Sequence, residues 1–154
     1  MAKPNVQAVI RPLRPDDEAA WRPLWSAYLE FYNSGVTDAV YRSSFDRMTD
    51  PSVTDYNGLV AEVDGEIVGI THYIYHLHGW RVEKVCYLQD LFVAPQARGM
   101  GVAQSLIEAV YAAADAAGCP SVYWMTQEDN ATARRLYDRI ATLTPFIKYQ
   151  RRSA

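Results

Sequence analysis

The sequence predicts an α+β fold, an α/β sandwich in which helices flank a mixed, mostly antiparallel central sheet. Three observations predict it. Two strand-like runs joined by Asp64-Gly65, with a third run behind them, describe an antiparallel meander. From residue 85 onward strands and helices alternate, the order that introduces parallel pairing. The full order, β, α, α, β, β, β, α, β, α, β, supplies helices to cover the faces of one sheet.

The length of 154 residues suits a single domain over 1–154, large enough to bury one core. Apolar residues make up 49% and charged residues 21%, and no repeat or low-complexity tract interrupts them, so the chain reads as globular throughout. A net charge of −3 argues against sequence-independent nucleic-acid binding, which needs a clustered basic face; near the terminus only Arg151-Arg152 cluster. The start Met1-Ala2-Lys3-Pro4-Asn5 has no apolar signal-peptide core and no stretch reaches membrane-spanning length, so a cytoplasmic protein with no membrane partner is expected. Cys86 and Cys119 have neither disulfide-scaffold density nor metal-ligand spacing and read as reduced packing residues.

Residues 6–11 read as a first strand. Pro15-Asp16-Asp17 opens a helix with acids at its positive end, and an aromatic-rich stretch carries it to Tyr32. Pro23 lies inside, so a kink or break is expected there, because proline removes one amide and clashes with the preceding turn. Trp21, Trp25, Tyr28 and Tyr32 recur at i, i+4, i+7 and i+11, which puts four rings on one side of that helix. A second helix spans 39–48. Runs 58–63 and 67–78 form a hairpin about Asp64-Gly65, and 85–93 follows antiparallel. The helix at 99–117 carries apolar residues at 102, 106, 109, 110 and 113 and ends at Gly118 and Pro120. A strand at 121–126 precedes a helix at 130–140 with Ala133, Leu136, Tyr137 and Ile140 on one face, and 146–151 reads as a last strand.

Between the apolar strand and the alanine-rich helix stands Gln96-Ala97-Arg98-Gly99-Met100-Gly101-Val102-Ala103. Two glycines let the backbone approach a ligand closely, and the free N–H groups of the new helix point outward with its dipole behind them. That is an anion cradle of pyrophosphate size. A dinucleotide fold would want a third glycine where Gln104 sits, and would place the turn after the first strand. Instead, strand, Gln-x-x-Gly-x-Gly, helix resembles the acetyl-CoA-binding motif of the GNAT N-acetyltransferase superfamily. Tyr87-Leu88-Gln89-Asp90-Leu91-Phe92-Val93 and Asn130-Ala131-Thr132-Ala133-Arg134-Arg135-Leu136-Tyr137 look most like diamine acetyltransferases and small histone and polyamine acetyltransferases. The element order is similar to that fold over most of the chain.

The resemblance implies acetyl-CoA as acyl donor, with no metal. Backbone amides along Gln96, Ala97, Arg98, Gly99, Met100, Gly101, Val102 and Ala103 would hold its pyrophosphate, with Arg98 adding charge. Backbone groups of Leu91 and Val93 would pair with the pantetheine arm like an added strand, and an amide near Leu91 or Phe92 would donate to the thioester carbonyl. Asn130 would bond the pantetheine or act as a plain N-cap. Tyr137 matches the tyrosine that protonates the departing thiolate, and its apolar helix face also describes a core residue.

An ammonium of pKa near 10.4 must shed a proton before attack, at about 4 to 5 kcal/mol near neutrality, so a base is expected. Diamine acetyltransferases carry a glutamate where this chain has Gln89. Asp90, His72 or a water held by Gln89 remain as bases, with Asp90 ranked first, and Asp90 reads alternatively as a structural group satisfied by the helix. His72, His76 and His78 share one face of the third strand by even spacing; without an acid or cysteine at ligand spacing they read as solvent-facing or acceptor-site histidines. The four rings of the first helix read equally as core or as the border of an acceptor channel near Glu30 or Asp38.

Two functions follow. One is an acetyl-CoA-dependent N-acetyltransferase acting in a ternary complex on a small-molecule or peptide primary amine: a polyamine, diamine, lysine-like metabolite, protein lysine or N-terminus. The alternative is a non-catalytic acyl-CoA sensor, kept open by Gln89. A longer acyl group and a homodimer are compatible with either.

Overall fold

The computed structural model describes residues 3–153. The chain divides after Trp124 into two compact units. The first holds a five-stranded sheet in the order β1 (Val9–Pro12), β2 (Tyr56–Val63), β3 (Glu66–His76), β4 (Val85–Val93), β5 (Val122–Tyr123). All neighbours are antiparallel except β4 and β5, which run parallel. The hairpin turn is as its residues require, with Asp64 at φ 51° and Gly65 at φ 81°.

Two layers cover the sheet. On one side α1 (Glu18–Phe31) and α2 (Asp38–Thr49) bury Trp21, Trp25, Leu29, Phe45 and Met48 against Val60, Ile70 and Phe92. Strand alternation turns Gly69 to the opposite face, where α3 (Val102–Ala116) presses Leu106 and Val102 onto it. A Cβ at Gly69 would stand 3.1 Å from Leu106 Cδ1. The buried stripe of α3 is Val102, Leu106, Ile107, Val110 and Ala114, one turn-side over from the expected 109 and 113.

Several expectations are corrected. Helix α1 runs through Pro23 without a break. Pro23 and Ala19, whose carbonyl loses its amide partner, are both exposed, so water can satisfy the orphan group. Asp16 and Asp17 stand in a short 3-10 turn (Pro15–Asp17) that leads into α1, and Asp17, the N-cap of α1 as an acid at its positive end, is buried. The strand expected at 121–126 contracts to Val122–Tyr123.

The second unit contains α4 (Ala131–Ile140), with Ala133, Leu136, Tyr137 and Ile140 half-buried on one face. No strand forms at 146–151: residues 142–153 carry no regular hydrogen-bonded structure, and Leu143, Phe146, Ile147 and Tyr149 are 74 to 89% exposed. Strand propensity without a neighbouring strand or a covering face does not hold a strand. Among the described residues no helix is long and apolar enough to cross a membrane.

Candidate active site

The turn between β4 and α3 forms from a 3-10 turn (Pro95–Ala97), then Gly99 at φ 76° and Gly101 at φ 81°. Gly101 is the N-cap of α3, and no side chain caps that helix. Its first amides, on Val102, Ala103 and Gln104, are therefore the ones a helix N-terminus offers to an anion. Around Gly99 nothing lies within 4 Å of where a Cβ would stand. Open backbone, free donors and a positive dipole end suit a pyrophosphate.

Sequence reasoning missed a second component. Residues 3–6 strap this turn: Lys3 Nζ donates to the Gln96 carbonyl at 3.0 Å, Val6 N–H donates to the Met100 carbonyl at 3.3 Å, and Asn5 Oδ1 stands 3.4 Å from a Cβ built on Gly101. No motif marks such a strap, because its contacts cross some ninety residues. Arg98 does not project freely from the turn. Its Nε donates to the Val93 carbonyl at 3.0 Å and its guanidinium lies 5.3 Å from the Phe92 ring centroid.

Beyond the turn the sheet opens. Strand β5 pairs with β4 only at Cys86 and Tyr87. Ala94 N–H donates to Val68, toward β3, so by alternation Phe92 also faces β3 while Leu91 and Val93 present their backbone groups on the outer edge. The Arg98 bond to the Val93 carbonyl agrees with that orientation.

The register of β4 shifts beside this edge. His72 lies opposite Asp90 and Tyr73 opposite Leu88, which leaves Gln89 as an exposed bulge residue without a partner. Because opposed residues share a face, the bulge puts both Tyr87 and Asp90 on the α1 and α2 side, and Leu88 on the α3 side.

Asp90 is 5% exposed. Its Oδ2 lies 3.0 Å from His72 Nδ1. Its backbone carbonyl accepts from Thr71 Oγ1 at 2.8 Å. The far nitrogen of His72, Nε2, accepts from Trp21 Nε1 at 2.9 Å. An indole N–H can only donate, so Nε2 is the acceptor and the imidazole proton sits on Nδ1, directed at Asp90. This corrects two readings: His72 is 1% exposed, not solvent-facing, and neither of its nitrogens is free to act as a base. His76 instead pairs with Tyr123 through Nε2 at 2.8 Å.

Four tyrosines surround the carboxylate. Burial, then the Asp90 charge, raises the phenols of Tyr28, Tyr32 and Tyr87. Tyr56 is pushed up to about 12, first by burial and then by Asp90, with the Ser44 hydroxyl and the Arg47 guanidinium on α2 pulling the other way. Trp25, stacked on Tyr28 at 5.0 Å and set edge-on to His72 at 4.9 Å, completes the cluster. Its Nε1 is a buried donor with no partner among the described residues. The ring spacing on α1 foretold one face; only the structure shows that this face is both core and the wall around an anion. Two shallow surface hollows, one along Arg22 and Tyr41 and one beside Arg11 and Glu62, involve neither Asp90 nor the glycine turn.

Asn130 and Tyr137 lie in the second unit. The Asn130 side chain accepts from Ala133 N–H at 3.4 Å and donates to Thr126 Oγ1 at 3.2 Å, an N-cap for α4.

Comparison with known proteins gives concordant results. Residues 21–141 match the Acetyltransferase (GNAT) family. The chain is 38% identical over 148 residues to a D-amino-acid N-acetyltransferase of Saccharomyces cerevisiae, covering 96% of this chain and 92% of that one. It is 31% identical over 136 residues to an uncharacterized N-acetyltransferase of Bacillus subtilis, covering 84% and 86%. Among solved structures it is similar to AAC(6')-Iy in complex with the bisubstrate analogue CoA-S-monomethyl-acetylneamine, with a TM-score of 0.83, 20% identity and coverage of 97% and 100%.

Proposed function

Because this chain belongs to the Acetyltransferase (GNAT) family, we propose that it transfers the acetyl group of acetyl-CoA to the primary amine of a small acceptor, with Asp90 taking the amine's proton. The observation that carries the reading is the position of Asp90, buried at a bulge beside the one stretch of β4 whose outer edge β5 leaves unpaired. Its N-acetyltransferase relatives set the chain with enzymes, and the sensor alternative is dropped.

When bound, acetyl-CoA supplies an activated acyl group whose carbonyl oxygen gains charge under attack. The Ala97 and Arg98 amides are taken by the Ala94 and Pro95 carbonyls at 2.9 and 3.3 Å, so of the expected cradle the amides from Gly99 to Ala103 hold the pyrophosphate, and outward backbone groups of Leu91 and Val93 hold the pantetheine arm. The Leu91 N–H then stabilises the charged oxygen, and Tyr137 donates a proton to the departing sulfur.

Amino acids stand first among acceptors, ahead of diamines, polyamines and lysine peptides, following the D-amino-acid activity named for the yeast relative. Arg47, close enough to act on the Tyr56 hydroxyl as Asp90 also does, offers a partner for an acceptor carboxylate. A homodimer belongs to the same reading, with the exposed apolar residues at 143–149 as its contact.

The test is thiol release from acetyl-CoA with D- and L-amino acids, a diamine, spermidine and a lysine peptide. Release above the no-amine control with amino acids is expected; acetyl-CoA binding without release for any amine would overturn the reading. Tyr137→Phe is expected to lower kcat on the order of tenfold, because a thiolate leaves tolerably without full proton transfer, while KM for acetyl-CoA stays unchanged. Equal kcat in both proteins would remove Tyr137 from the chemistry.

A further inference from the structure

We propose that Trp21 and His72 are positioning residues for Asp90: the indole keeps the imidazole neutral, and the imidazole holds one carboxylate oxygen, so that the other is reserved for the acceptor's proton. The proposal rests on the reading of Asp90 as proton acceptor. Three buried side chains from three elements, Trp21 on α1, His72 on β3 and Asp90 on β4, form one chain of donors. Trp21 Nε1 donates to His72 Nε2 at 2.9 Å, and His72 Nδ1 donates to Asp90 Oδ2 at 3.0 Å.

An imidazolium carries an N–H on both nitrogens and would turn one of them on the indole N–H, so the bond from Trp21 belongs to the neutral ring. A histidine set against a carboxylate otherwise tends to gain a proton and become its ion-pair partner. A carboxylate whose charge is answered in that way is a poor proton acceptor. With His72 held neutral, the Asp90 charge is left for the ammonium. Because Oδ2 already faces a donor, the arriving proton settles on Oδ1: an N–H bond of the ammonium breaks and an O–H bond forms there. The products are a neutral amine and a carboxylic acid whose carbonyl oxygen, Oδ2, still accepts from His72. The same Oδ1 later returns the proton to solvent.

Packing fixes each member of the chain. The Trp21 ring stacks on Trp25 at 6.3 Å, lies 5.1 Å from Phe45 and meets Tyr41 edge-on at 6.2 Å. The His72 ring stands edge-on to Trp25 at 4.9 Å and to Tyr56 at 6.4 Å. Thr71 Oγ1 pins the Asp90 main chain at 2.8 Å. The other titratable and charged groups facing the pair are Tyr28 and Tyr32 on α1, Tyr56 on β2 and Tyr87 on β4, with Arg47 on α2 behind Tyr56. Burial, then the Asp90 charge, keeps those phenols neutral.

Trp21→Phe keeps a ring in the core and removes the indole donor, which frees His72 to protonate beside the carboxylate. Its kcat/KM for the amine is expected to fall about tenfold at about pH 6 and to approach the parent by about pH 9, where an ordinary imidazole is neutral. A Trp21→Phe enzyme that matches the parent at every pH, or that loses the same factor at every pH as damaged packing would, overturns the proposal. His72→Leu, with no donor, lowers kcat/KM about 100-fold, and His72→Asn, whose amide restores an N–H near the Nδ1 position, recovers about tenfold of that loss. KM for acetyl-CoA stays unchanged in all three, and equal losses in His72→Leu and His72→Asn also overturn the proposal. Asp90→Asn separates the two readings: a large loss there with none in Trp21→Phe refutes the positioning role alone, and no loss in Asp90→Asn refutes the reading beneath it. Should the variants fail to fold, the parent enzyme still decides. In nitrogen-15 spectra at neutral pH, assigned by elimination with His76→Gln and His78→Gln, His72 shows a protonated Nδ1 and a bare Nε2; the opposite tautomer or a doubly protonated ring refutes the lock.

Discussion

Arg11 shows how a single side chain ties the first strand to the helical layer. Its guanidinium bonds Asp17 at 2.7 Å and Glu62 at 2.6 Å, and Asp17 also accepts from Arg14 N–H at 2.7 Å. The Arg11 hydrogen bonds hold the Asp17 carboxyl below its ordinary value of 3.8, so Asp17 contributes stability that is present above that value and is lost as pH falls through the lower folded one. Asp17→Asn is expected to cost about 2 to 3 kcal/mol at pH 7, since the partly buried Arg11 keeps Glu62 as its remaining partner. Thermal melts from pH 7 down to pH 2 should show the parent's advantage over the variant shrinking as acid is added; a constant gap would refute the linkage. Residues of this kind were poorly legible in the sequence. Asp17 read as a helix-end acid because the local pattern is a helix start, and nothing local reveals that residue 62 returns beside residue 11. The His72 tautomer was hidden for the same reason, since it is decided by an indole fifty-one positions away.

Elements were far more legible, because their signals are local. The Asp64-Gly65 hairpin, the strand at Val85–Val93 and the helix after the glycine turn each carry turn chemistry and periodicity within a dozen residues. Where a boundary moved, tertiary contact decided it: β5 ends after two residues once β4 and β5 diverge. The start of α3 is a place where element and ligand make the same demand on the backbone. Gly101→Ala forces an L-residue to φ 81° beside Asn5, which should cost about 1 to 2 kcal/mol and raise KM for acetyl-CoA about tenfold. Gly79→Ala, where φ is ordinary and no atom lies within 4 Å, should leave both unchanged. Melting temperature and KM measured on the two variants check this; equal effects from both would show that the turn makes no special demand.

At the scale of the whole molecule, the apolar residues left outside the core carry the information. Phe146, Ile147 and Tyr149 are 79, 76 and 89% exposed, so replacing all three with serine should change folding stability by no more than about 0.5 kcal/mol per position. With a second copy of the chain as their partner, sedimentation of the parent gives a two-chain mass that drops to one chain in the triple variant. A one-chain mass for the parent would refute the homodimer. The sequence predicted a strand at 146–151 that does not form, because a strand-like run of residues describes what a segment can pair with, not whether it pairs.

The bulge at Gln89 has a consequence apart from chemistry. An open strand edge with outward amides and carbonyls is a template on which strands of unrelated chains can add, the first step of aggregation. A kink in β4 at residue 89 spoils the even repeat that such an intruder would have to match for more than a few residues. The irregularity that sets Asp90 on the face of the aromatic cluster therefore also works against strand addition along that edge.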